Sequence, residues 1–425
     1  MRGTNRITVV VVVVALMLAA FGVGYGTGQR SQAASATRAQ GLRLLETLLN
    51  RVHETYIDPT VDEQPLFIGA AKGMLDALGD PYTRFMDPRA FNDFRQDAKG
   101  FFFGIGIFID LKDNHLIVVQ PIRGTPADRA GLRAGDRIIK IGVQATEGMA
   151  LQEAVTRIRG PKGTTVTLTM RRGERDFEAN LVRDRIELAA GEGVESLDET
   201  ARAALKQAGI GYIKLTVFNE MTTKTFDRLF ADVQRAGAKG LILDLRHNGG
   251  GLLDISLEVA DRFVPAGQPL VHTVDRNGNR ITERATSRAK IGIPVVVLVD
   301  EFTASASEIV SGALQDTGVG TLVGVKTFGK GVIQTIVDLP LGAGAAITSA
   351  KYLTPKERDI HKKGVTPDIV VGEPEESLRT RLRGKPDAEI DQQVERMKAD
   401  QLNRAIDAVK KKITKSEWTP LMPAA

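Results

Sequence analysis

"IPVVVLVDEFTASASEIVSGALQD", Ile293 to Asp316, decides the fold. Its unbroken branched apolar run, Val295–Val299, suits a strand buried on both faces, and the apolar spacing after the polar turn predicts a helix. A second unit of the same order stands at "KGLILDLRHNGGGLLDISLEVADRFV", Lys239 to Val264, with a glycine triplet as its turn. Strand, turn and helix in repetition predict an α/β core with a parallel sheet. In the first unit Ser305 falls at the turn and Ser307 just inside the helix, so Ser305 is the better placed to face outward beside its neighbour's N–H. A serine there also serves as a plain N-cap. In the second unit Gly249, Gly250 and Gly251 allow N–H groups to converge at a helix start, which suits a phosphate or an oxyanion. Neither nucleotide-binding glycine signature is present, which weakens the phosphate reading.

Serine needs a base, normally histidine. The chain has 5 histidines: His53, His115, His247, His272 and His361. His247 precedes the glycine triplet, but its surroundings match no triad pattern. Lysine becomes a base when burial sheds its charge. "TFGKGVIQTIV", Thr327 to Val337, puts Lys330 between two glycines at the entry to an apolar strand, an odd place for a merely solvated lysine.

Working outward, 425 residues suffice for roughly three domains. Hydrophobic residues at 42% and charged residues at 26% describe an ordinary globular chain. The net charge is +5, but basic and acidic residues interleave and aromatics are only 5%, which argues against nucleic acid as a partner. With no cysteine, disulfides, thiolate nucleophiles and cysteine metal sites are excluded. At the N-terminus Arg2 and Arg6 precede the uncharged run Ile7–Gly28, which would span about 33 Å as a helix. It predicts a signal anchor in residues 1–37, with the rest outside the cytoplasmic membrane, in the periplasm or cell envelope, or secreted if cleavage occurs near "QAASA".

The segments "GLRLLETLLNRVHETYI" and "PLFIGAAKGMLDALGD" predict a helical region over 38–95. Strand patterns begin at "KGFFFGIGIFIDLKDNHLIVVQPI", and the stretch 96–184 resembles a PDZ domain on "FFFGIGI" and "TPADRAGLRAGDRIIKI". That resemblance implies a carboxylate-binding loop at Phe103, Gly104, Ile105 and Gly106, beside a strand edge that can pair with a peptide. "KIGVQAT" lacks the usual Asn-Gly turn, so that hairpin is expected to differ. A core over 185–372 and a charged helical tail over 373–425, read as solvated, complete the chain.

The combination of helical segment, PDZ module, "DLRHNGGGLL", "TASASEIVSGALQD", "FGKGVIQ" and "KGVTPDIVV" resembles the C-terminal processing peptidases, serine peptidase family S41, over nearly the whole chain after the anchor. It implies a core related to the ClpP/crotonase fold with an inserted PDZ domain, α/β and α+β together. It also implies Ser305 as nucleophile, Lys330 as general base, Gln334 orienting the lysine, and the N–H groups of Ala306 and Gly250 as oxyanion hole. Glu308 and Asp316 match acidic positions that support the site in some members. The implied partners are proteins or peptides with apolar, unstructured C-termini, and a homodimer through the terminal regions; no cofactor or metal is implied. One departure is Gly249, where the family usually has proline. Two rival readings are a catalytically silent PDZ scaffold and a crotonase-like thioester enzyme. An intact Ser305, Lys330 and Gln334 argues against the first, and the second gives the tail-binding module no role.

Overall fold

The computed structural model describes residues 37–112, 115–122, 124–133, 135–286 and 291–414. The expected anchor, Ile7–Gly28, lies outside them, and among the described residues no helix is long and apolar enough to cross a membrane. Two compact units divide at Met74 and Leu75. In the first, a helix over 37–55 leaves Leu42, Leu44 and Leu48 exposed, and the helix Glu63–Asp76 buries no residue.

In the second unit the repeated pattern forms as expected. The strands Ile210–Leu215, Gly240–Asp244, Val295–Val299, Gly320–Gly324 and Ile369–Val370 run parallel in that order, with Gly191–Glu192 antiparallel on one edge. Alternation sorts their side chains between two layers. Leu241, Leu243, Val295, Val297 and Val299 face the helices Thr222–Arg235, Leu253–Asp261 and Ala306–Asp316. Ile242, Val296, Leu298 and Val323 face the helices Glu199–Ala208 and Asp387–Thr414. The last of these corrects the expectation of a solvated tail: Leu402, Ala405, Ile406 and Val409 recur at helical spacing and are buried on the sheet.

A second, antiparallel sheet is centred on Gly344–Leu353, which pairs with Arg84–Met86, Val332–Asp338 and Pro269–Asp275. The helical region expected over 38–95 does not hold to its end, since the strand Arg84–Met86 belongs to this sheet. Phe91 of the helix Pro88–Ala98 packs on Met86 and Ala346. The short strand reads as a proline turn in sequence because only three of its residues pair.

The PDZ module is a sheet of Ile107–Lys112, His115–Pro121, Arg137–Ile141, Thr165–Arg172 and Arg175–Val182, closed by the helix Leu151–Ile158 around Leu116, Ile138, Leu168 and Met170. The hairpin at Ile141–Gln144 forms without Asn-Gly because Gly142 supplies the positive φ of 62°. Both connections to the core run in one ribbon, Phe101–Gly104 antiparallel to Asp184–Glu187.

Candidate active site

Because Gly240–Asp244 and Val295–Val299 are parallel neighbours, the glycine triplet and the serine turn emerge side by side at their C-terminal ends. Asn248, fully buried, joins them. Its Nδ2 donates to Leu215 O (3.0 Å), while its own carbonyl accepts from Ala304 N (3.1 Å) and Ser307 Oγ (2.9 Å). Ser307 is thereby a structural hydroxyl. Ser305 is left in the turn with φ 56° and ψ −117°, a conformation that a residue with a Cβ adopts only under restraint.

Glu308 supplies that restraint. Its side chain is fully buried and accepts from Ser305 N (2.9 Å), Gly329 N (2.8 Å), Lys330 N (2.9 Å) and Thr327 Oγ1 (2.5 Å). One carboxylate therefore fastens the serine turn to the lysine loop. Burial pushes its pKa up, opposed by these hydrogen bonds. From the other side, the buried Tyr352 hydroxyl donates to Ser305 O (2.9 Å).

The glycines beside Lys330 answer to close backbone approach. A Cβ at Gly329 would lie 2.8 Å from Gly364 N, and one at Gly331 would lie 2.7 Å from His361 N. The "KGVTPDIVV" motif thus packs behind the lysine. Lys330 is half-buried, with Nζ 5.1 Å from the Tyr82 ring centroid. Burial holds its pKa below the ordinary lysine value, the Arg84 charge adds to this, and Asp80 works the other way.

Ser305, Ala306, Lys330 and Gln334 line one cavity of about 400 Å³, together with Gly249, Phe218, Phe94 and Tyr352. No histidine is in that lining. His247 instead donates its backbone N–H to both Asp300 oxygens (3.0 Å each), and its ring contacts Asp300 and Phe302. Among the described residues no group of three or more His, Asp or Glu side chains is placed to hold a metal ion.

Three expectations change in detail. Gly250 donates its N–H to Asn248 Oδ1 (2.9 Å), so of the two expected oxyanion donors it is engaged, whereas the N–H of Ala306, first in its helix, has no intrahelical acceptor. Asp316 sits at the far end of the serine helix, where it takes Lys356 N (2.9 Å) and Arg358 (2.6 Å), so it anchors the loop after Leu353 and not the site. Gln334 lines the cavity with a buried Nε2 that has no partner, so its expected bond to the lysine is not made in this conformation. In the PDZ module, Phe103 N–H goes to Gln96 Oε1 (3.2 Å). The buried Ile105 and Gly106 turn their carbonyls inward, to Ala127 N, Ile122 N and Thr125 Oγ1.

Sequence reading passed over Tyr82 and Arg84, which "DPYTRF" presents as a turn, and Asp244 with Arg246. Tyr212 and Arg246 both bond Asp244, and Arg246 reaches Lys398 O (2.9 Å) and Gln401 Oε1 (3.1 Å). Burial presses the Asp244 pKa up, but Arg246 outweighs it and holds the carboxyl below its usual range. An acidic and a basic residue at the end of a buried strand, two apart in "DLR", were the available signal.

Residues 209–371 match the family model Peptidase family S41, 94–171 match PDZ domain, and 24–90 match Activating protease CtpB N-terminal domain. The chain is 35% identical to the carboxy-terminal processing protease CtpA of Bacillus subtilis over 80% of this chain and 70% of that protein. It is also 35% identical to a carboxyl-terminal-processing protease of Synechocystis over 82% and 84%. A solved S41 protease of Bacteroides fragilis shares the fold, with TM-score 0.51 at 16% identity over 87% of this chain and 97% of that one.

Proposed function

Since the chain belongs to peptidase family S41, among the carboxy-terminal processing serine proteases, we propose that it hydrolyses peptide bonds through a Ser305–Lys330 dyad. The observation that carries this is the cavity that Ser305 and Lys330 share, with Glu308 fastening their two loops together. Neutral Lys330 takes the Ser305 proton and Oγ attacks the scissile carbonyl; as the C–N bond breaks, protonated Lys330 returns that proton to the leaving amine, and water activated the same way then hydrolyses the ester, freeing the new carboxyl end and restoring Ser305. Ala306 N–H stabilises the oxyanion at once; Gly250 N–H joins it when the carbonyl oxygen displaces Asn248 Oδ1. Lys330 must leave the Tyr82 ring for Ser305 Oγ, with Gln334 positioning it, so this conformation is a resting one.

The PDZ module takes the substrate's tail. Its strand Ile107–Lys112 is a sheet edge, open to an added peptide strand, and the loop 103–106 offers the Ile105 and Gly106 N–H groups to a carboxylate. Substrates are unstructured proteins with apolar C-termini. The Arg-flanked run Ile7–Gly28 anchors the chain with its catalytic part on the extracytoplasmic side. The exposed leucines of the helix over 37–55 serve a homodimer, since a soluble monomer rarely leaves such a stripe open.

Incubation of the protein with an unfolded substrate bearing an apolar tail, beside Ser305→Ala and Lys330→Ala, tests the dyad. Cleavage by the parent alone supports it; cleavage by Ser305→Ala overturns it.

A further inference from the structure

The helix Pro88–Ala98 faces two spaces. Phe94, Asp97 and Ala98 border the catalytic cavity, while Arg89, Asn92, Asp93 and Gln96 border a separate cleft of about 940 Å³ against the PDZ module. The charge of this cleft is one-sided. Arg89, Arg157, Arg159, Lys162 and Arg183 line it, against Asp93 alone. Arg157, Arg159 and Lys162 each have one carboxylate partner, Glu153, Asp97 and Asp184. Among the described residues the other two have none. Arg183 donates to Ile158 O (2.8 Å), Arg157 O (2.9 Å), Thr164 Oγ1 (3.0 Å) and Thr165 O (3.2 Å), and Arg89 donates to Thr156 O. These neutral acceptors fix two guanidinium groups at the end of the helix Leu151–Ile158 without cancelling their charge. Burial lowers the Arg183 pKa and the nearby Arg89 charge lowers it further, the mark of a cation held where an anion would relieve it.

We propose that this cleft binds acidic side chains near the C-terminus of the substrate. The inference rests on the PDZ module receiving the tail. Phe103, in the loop that would hold the terminal carboxylate, also lines the cleft, so residues next to a seated terminus lie within reach of the arginines. Arg183 contributes fixed charge, its donors being mostly used. Arg89, Arg159 and Lys162 contribute donors that can turn to a carboxylate. Tail selection is then twofold: apolar residues for the groove, and a carboxylate-bearing neighbour for the cleft.

The full chain carrying Ser305→Ala, which leaves peptide intact, would be titrated with labelled peptides and followed by fluorescence anisotropy. The peptides share one apolar ending, carry Asp/Glu or Ser upstream of it, and have a free or an amidated terminus. The acidic peptide is expected to bind about tenfold tighter than the serine peptide at low salt, with either terminus, and to lose that advantage as salt rises. Added Lys162→Gln with Arg89→Gln should bring it down towards the serine peptide, and Asp93→Asn should widen the gap. Should Arg89→Gln perturb folding, Lys162→Glu alone should still reverse the preference. Equal affinity of acidic and serine peptides, or a preference that survives these substitutions, overturns the proposal, as does dependence on the free terminus alone. Binding is read without turnover, so a failed dyad leaves this result legible. Binding of the serine peptide without acidic preference rejects the cleft and spares the tail-binding reading.

Discussion

Ser305 holds a backbone conformation that costs about 1–3 kcal/mol for a residue with a Cβ, kept in place by Glu308 below and Tyr352 above. Glycine adopts it without that cost, so Ser305→Gly should unfold about 1 kcal/mol later than Ser305→Ala in denaturant, both inactive. A serine turn relaxed by sequence alone would leave the two variants equal. Glu308→Ala strands four donors in the interior and should lower stability by about 3 kcal/mol or more. Its kcat should fall with it, since the serine and lysine loops then part. On the proposed dyad, Lys330 sets the pH dependence. A base is useless when protonated, so kcat/KM falls as pH drops through the lysine's pKa, which lies below the ordinary 10.5. Arg84 depresses that pKa and Asp80 raises it, so Arg84→Ala should move the acid limb to higher pH and Asp80→Asn to lower pH. Limbs that move together, or not at all, would remove Lys330 from the role. These residues differ in how far sequence exposes them. Ser305 and Lys330 stand in motifs, because a helix start and a pair of flanking glycines are local facts. Arg84 and Tyr82 act across the fold from an ordinary-looking turn, and no local pattern marks them.

Among the elements, the glycine loop carries Gly249 where the resemblance implies proline, and the structure has room there for a Cβ. A Cβ would meet nothing within 4 Å, whereas at Gly250 one would meet Ala304 O at 2.8 Å and Ala306 N at 2.9 Å. Gly249→Ala should therefore raise stability by about 0.4–1 kcal/mol with activity retained, while Gly250→Ala, at φ 102°, should lose most of kcat. Parallel measurements of unfolding and kcat on the two variants check this, and a Gly250→Ala enzyme as active as its parent would contradict it. The strand–turn–helix units were legible because continuous apolar runs and helical spacing are strong local signals. The strand Arg84–Met86 was not, since three residues beside prolines become a strand only when Gly344–Ala346 arrives from far along the chain. The final helix misled through its lysines: Lys410 and Lys411 are exposed, while Leu402, Ala405, Ile406 and Val409 on the same helix are buried on the sheet.

For the whole molecule, that helix closes one face of the sheet and, through Gln401 and the Lys398 carbonyl, holds the Arg246 that begins the glycine loop. Each large apolar side chain it buries contributes about 1.5–3 kcal/mol, and the sum rivals the whole stability of an ordinary domain. Truncation after Pro386 should give an insoluble or unfolded chain, read by circular dichroism; a folded, active product would refute this account of the tail. A different economy governs the PDZ module, whose two connections leave through paired strands. Gly104 and Asp184 are cross-strand partners, so the chain ends left by removing 105–183 lie about 5 Å apart and a two-residue turn could join them. Topologically the module is a hairpin loop grown to the size of a domain. The peptidase is therefore a chassis and the module a cartridge: readers of other signals could be spliced at this seam, leaving the catalytic body to fold as it does now.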